Sequence, residues 1–77
     1  MNKHADWLEA ERDAEQWSGD TGLVIAVVED FAGDPPVLLV MPDDEAQAYI
    51  ADPQHDAEIQ YVAAIIQAAE PAAAQQE

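Results

Sequence analysis

The side chains in this chain that could do chemistry are carboxylates, and they fall into three groups. These are Glu29, Asp30 and Asp34; Asp43, Asp44 and Glu45; and Asp52, Asp56 and Glu58. Acids in such groups can work in pairs on a glycosidic bond, hold a hard cation, or present negative charge to basic side chains. Glycoside chemistry needs a roofed pocket, which 77 residues leave little material to build. Cation binding needs a ligand spacing that is missing here. Asp43-Asp44-Glu45 lacks the alternate positions and the glycine of a calcium loop, and Asp30 to Asp34 lacks its closing bidentate glutamate. Nucleophilic catalysis has only the hydroxyls of Ser18, Thr21, Tyr49 and Tyr61, with His4 and His55 as the bases on offer. Both histidines read as solvated side chains, one near the terminus and one in the first turn of a helix. There is no cysteine, and no histidine pair is spaced for zinc. The expectation is a protein that is not an enzyme, with no catalytic, cofactor-binding or metal-binding residues.

That leaves charge as the chemistry. Seventeen Asp and Glu stand against two cations, a formal net charge of -15. Both cations, Lys3 and Arg12, lie near the start of the chain. Small domains usually carry a net charge of magnitude about 2–8, and a compact body with a large excess repels itself. The most economical explanation of such an excess is a partner with a strongly basic surface, a protein that normally holds DNA or RNA. Direct binding of nucleic acid needs a basic stripe, which two cations do not make, and an anionic membrane repels the chain in the same way. The expected partner-binding residues are Glu29, Asp30, Asp34, Asp43, Asp44, Glu45, Asp52 and Asp56.

The elements that position these acids follow from hydrophobic spacing. Trp7, Ala10, Ala14 and Trp17 recur at helical intervals, which predicts a helix over residues 4–17 with Gly19 as its left-handed stop. Residues 23–28 and 37–41 are short apolar runs rich in branched side chains, which predict strands. The loop between them is too long for a tight turn and too short for a helical crossover, so the strands should be antiparallel neighbours. Neither alternates apolar with polar, which implies helices on both faces or a dimer contact covering one. Pro42 to Ala51 reads as a short second helix. Asp52-Pro53 reads as an N-cap and first position of a third, running to about Ala69 on a stripe of Ile59, Val62, Ala63 and Ile66. The prediction is one small α+β domain over residues 1–70, ordered α-β-β-α-α, with a two-stranded antiparallel hairpin packed by helices. Residues 71–77 read as a frayed tail after Pro71. Trp7, Trp17, Ile25, Val27, Leu39, Ile59, Val62 and Ile66 are expected to share one core.

Hydrophobic content of 49% argues against disorder. The N-terminus has no apolar signal segment, and the longest apolar runs fall short of the ~20 residues of a membrane span. The expectation is a soluble protein, a monomer more readily than a dimer, in the cytoplasm of a bacterial host cell. Small size, extreme acidity and a plain α+β body together resemble phage-encoded acidic anti-CRISPR proteins of the DNA-mimic type. Within that class the resemblance is to inhibitors of a type I Cascade complex such as type I-C. It spans the whole chain in overall character and rests on no diagnostic motif, so no family-defined residue is carried over. It implies an inhibitor that occupies the basic channel through which Cascade receives DNA. A salt-adapted acidic protein, and a small adaptor or antitoxin-like module that binds through an apolar strand face, stand beside it as alternatives.

Overall fold

The computed structural model describes residues 1–64, and its first element has no apolar signature. Asn2–His4 forms a three-residue edge strand, β1. Three polar residues carry no hydrophobic period, which is why the sequence assigned His4 to a helix. That helix, α1, spans Trp7–Thr21. Asp6 caps it from extended backbone, accepting from the Leu8 N–H at 3.4 Å. It stops at Gly22, whose φ of 76° is the left-handed conformation glycine adopts without a Cβ penalty. Gly19, the expected stop, lies inside the helix. Buried Ser18 explains the extra turn: its hydroxyl donates to the Leu23 carbonyl at 2.7 Å, fastening the end of the helix to the chain beyond it.

Both apolar runs form strands, although Leu23 and Val24, expected in the first, precede it and are exposed. β2 (Ile25–Asp30) and β3 (Val37–Pro42) pair antiparallel from Ile25 opposite Pro42 to Asp30 opposite Val37. The second helix, α2, spans Asp43–Ala51. The third predicted helix is not formed; Ala57–Ala63 is a strand, β4. Asp52 behaves locally as an N-cap, since its Oδ1 accepts from the Gln54 N–H at 2.9 Å. Its carbonyl also accepts from the His55 N–H at 3.0 Å, which closes a turn instead of opening a helix. Ile59, Val62 and Ala63 fit a helical stripe, but Ala57, Ile59, Tyr61 and Ala63 equally alternate with Glu58, Gln60 and Val62. β2 decides between them. Its backbone is buried, and the edge that β3 leaves open needs hydrogen-bond partners. Ile66 and the predicted tail 71–77 lie outside the described residues.

The sheet runs β1-β3-β2-β4 with every neighbouring pair antiparallel. The class is mixed α+β, and the order is β-α-β-β-α-β in place of α-β-β-α-α. β1-α1-β2 and β3-α2-β4 are two crossovers that each skip one strand, in the same lateral direction but with opposite strand directions. Such connections are right-handed, and under that rule the two helices must cover opposite faces. They do. Ala10 and Ala14 pack with Ile25, Val27, Leu38, Val40 and Ala63 on one side. On the other, Ala46 packs with Ala26, Val28, Leu39 and Met41. This accounts for the missing alternation and divides the expected single core in two. Ile25 and Val27 face α1, whereas Leu39 and Ile59 face α2. Trp7 and Val62 are not core residues, being 40% and 47% exposed. In β4 a bulge at Gln60 turns the strand over, so that Ala57 and Ile59 pack toward α2 but Tyr61 and Ala63 toward α1.

Candidate functional site

Register places the acidic groups at the two ends of the sheet. The β2–β3 loop defines a hairpin end, and Glu29, Asp30 and Asp34 lie there by sequence. β4 begins opposite Asp30, and the Phe31 N–H donates to the Asp56 carbonyl at 2.8 Å. The structure therefore joins the first and third acidic groups, which are separated in the sequence by β3 and α2. Glu29 and Glu58 stand directly opposite each other on the α1 face. Like charges in that relation oppose strand pairing. Asp34, Asp56 and Glu58 are exposed, with Glu29 and Asp52 half-buried. Glu58 is an addition to the predicted surface. The sequence displayed it, but a helical reading of residues 53–69 hid its partner strand.

Asp30 is a different kind of residue from its neighbours. At 9% exposure it accepts from the Tyr49 hydroxyl and, at 2.9 Å, from the Ala32 N–H. The Tyr49 hydrogen bond, followed by the Ala32 N–H, holds its carboxyl below the ordinary aspartate range. The same hydrogen bond, with burial and the Asp30 charge adding to it, pushes the Tyr49 phenol up to about 12. His55 stacks on the Tyr49 ring with centroids 3.8 Å apart, and its Nδ1 sits 2.9 Å from the Tyr49 carbonyl. Asp30 thus fastens α2 to the sheet, and His55 folds the turn after α2 back onto the helix. Asp30 is occupied within the fold, and His55 is a packed residue of a turn and not a solvated one.

Asp43, Asp44 and Glu45 occupy the opposite end, in the first turn of α2. The helix dipole welcomes acids there. The Asp43 N–H donates to the Val24 carbonyl at 2.8 Å, and Asp44 Oδ1 accepts from the Glu45 N–H at 2.9 Å. Among the described residues neither cation lies within ion-pair distance of an acid, although the Lys3 charge adds a little to the depression of Asp30. Arg12 is in α1 beside β1, lining a groove with Met1, His4 and Asp13. Lys3, opposite Leu39, belongs to the α2 face. Among the described residues the one close contact between a carboxylate and a basic side chain is His4 Nε2 with Asp13 Oδ2 at 2.9 Å. Burial pushes Asp13 up, but hydrogen bonds from His4 and Asn2 outweigh it and hold the carboxyl below its usual range. His4 is accordingly half-buried and bonded.

Chemically, the hairpin end gathers carboxylate acceptors at one end of the sheet. Such groups receive Arg and Lys donors in short, charge-assisted hydrogen bonds. No family model, no curated protein and no solved structure matches the chain. Among the described residues no helix is long and apolar enough to cross a membrane, and no group of three or more His, Cys, Asp or Glu is placed to hold a metal ion.

Proposed function

We propose that this protein is an inhibitor that binds a basic nucleic-acid-binding surface and keeps DNA from being recruited to it. The proposed setting is the cytoplasm of an infected bacterium, with an anti-CRISPR role against a type I Cascade complex. One observation carries the reading. Carboxylates from separate stretches of chain converge on the hairpin end, and Glu29 and Glu58 are set against each other across paired strands. An arrangement that costs stability and has no described cation to relieve it is explained by a partner that supplies the cations. Phosphate contacts with Lys and Arg dominate DNA affinity, and carboxylates on a rigid scaffold satisfy the same side chains. Opposite fields also speed encounter. Against the adaptor alternative, α1 packs on one apolar face of β2 and β3 and α2 on the other.

The test is displacement of DNA from a Cascade complex at two salt concentrations. Wild type should displace DNA well at low salt and less at high salt. Converting Glu29, Asp34 and Asp56 to Lys should abolish displacement. Converting Asp43, Asp44 and Glu45 to Lys should weaken it less. Asp30 is left intact because its carboxylate holds the fold. Reversed proteins that stay folded and displace DNA as well as wild type would overturn the proposal.

A further inference from the structure

Trp7 has the spacing of a core residue and the exposure of a surface one. It is 40% exposed in the first turn of α1, next to Leu8 at 53%. The start of α1 lies at the hairpin end, because β1 runs toward that end and His4 pairs with Leu38. The helix flank can be assigned as well. Asp13 turns toward β1 through Asn2 and His4. Glu15 turns toward β4, where its Oε2 accepts from the Tyr61 hydroxyl at 2.6 Å, and Glu11 also raises the Tyr61 phenol. Trp7 precedes Glu11 by four residues and so shares the β4 flank, one turn nearer the hairpin. On the sheet beneath that flank, the pair next toward the hairpin from Tyr61 on the α1 face is Glu29 and Glu58.

An indole ring held on a capped helix beside carboxylates is suited to one kind of visitor. Trp offers the strongest aromatic face for a cation. A guanidinium is planar, stacks on such a face and still donates in its own plane to carboxylates, which an ammonium cannot do. Resting on the proposal that the partner is basic, we infer that Trp7 is a stacking platform for an arginine side chain of that partner, with Glu11, Glu29 and Glu58 as the flanking acceptors. A second copy of this chain is a poor occupant, since its acids would meet the same acids.

Two probes of equal charge test this, an arginine-rich and a lysine-rich peptide, used with the full chain. Wild type should bind the arginine peptide more tightly. Trp7→Ala should weaken that binding about tenfold, with a smaller loss for the lysine peptide and an unchanged melting temperature. Trp7→Phe should lie between. In a Trp17→Phe background, emission from Trp7 should change as the arginine peptide is added. Equal arginine-peptide affinity for Trp7→Ala and wild type overturns the inference, as does a silent emission spectrum. A large fall in melting temperature for both Trp7 variants also overturns it, by making the ring a packing residue. Trp7-dependent binding of the arginine peptide without displacement of DNA from Cascade would uphold the platform while the inhibitor reading fails.

Discussion

At the hairpin end, acids from distant stretches are brought face to face, and one of them, Asp30, is drawn inside and bonded by Tyr49. At the opposite end, Asp43, Asp44 and Glu45 share one helical turn whose dipole already favours them. The first arrangement opposes folding and the second assists it. Acid content alone therefore says little about function. An acid in the first turn of a helix has a local explanation, whereas Glu29 opposite Glu58 has none.

The largest effect expected from breaking this comparison lies in the core that holds both ends in place. Ile25, fully buried near the opposite end, should lose about 2–5 kcal/mol on truncation to Ala. Exposed Val62, its near neighbour on β4, should change by no more than about 0.5 kcal/mol. Urea denaturation of the two variants measures this, and equal losses would contradict the division of β4 by its bulge.

Next in size is the inward acid of the hairpin end. Tyr49→Phe removes the hydroxyl donor of a buried carboxylate and should cost about 1–3 kcal/mol. It should also alter both pH limbs of stability. The Asp30 carboxyl is depressed in the fold, so its contribution is present above the ordinary carboxylate range and is lost as pH falls through the folded value. The Tyr49 phenol is raised, so its contribution is complete below its ordinary value of 10.0 and is lost as pH rises from there toward about 12. Urea midpoints across pH should show both losses in wild type and weaker ones in Tyr49→Phe. Asp13 is also depressed and should keep part of the acid limb.

The smallest effect has the opposite sign. Glu58→Gln removes one member of the opposed pair and should stabilise by about 0.2–1 kcal/mol while weakening DNA displacement. Added salt should raise the wild-type melting temperature by screening the same repulsion, and should help this variant less. A Glu58→Gln protein less stable than wild type would show that the pair is not repulsive.

How much of this could be read from the sequence varied with the range of the interaction. Residues 25–28 and 37–41 declared themselves as strands because β-branched side chains in short, turn-bounded runs are a local signal. Asp43–Ala51 did so through its acids after Pro42. β1 was invisible because Asn2, Lys3 and His4 are polar and gain their strand only from pairing with β3. Of the acids at the hairpin end, Glu29, Asp34 and Asp56 could be named from the sequence by type alone, but not their meeting at one end of the sheet. The inward turn of Asp30 depends on Tyr49, nineteen residues away, and no local rule links them. Trp7 was misplaced because helical spacing says which side of α1 faces the sheet, but not where the sheet ends beneath it.

By itself, then, the sequence determined the charge, the α+β class, the central hairpin and the need to cover both of its faces. Each follows from composition or from neighbours along the chain. Only the tertiary structure decided that residues 57–63 are a strand, because the unsatisfied edge of buried β2 outweighs a helical stripe that fits almost as well. That one pairing sets Glu58 against Glu29 and completes the hairpin end. The acidic surface is thus a consequence of backbone hydrogen bonding between segments that local propensity does not connect.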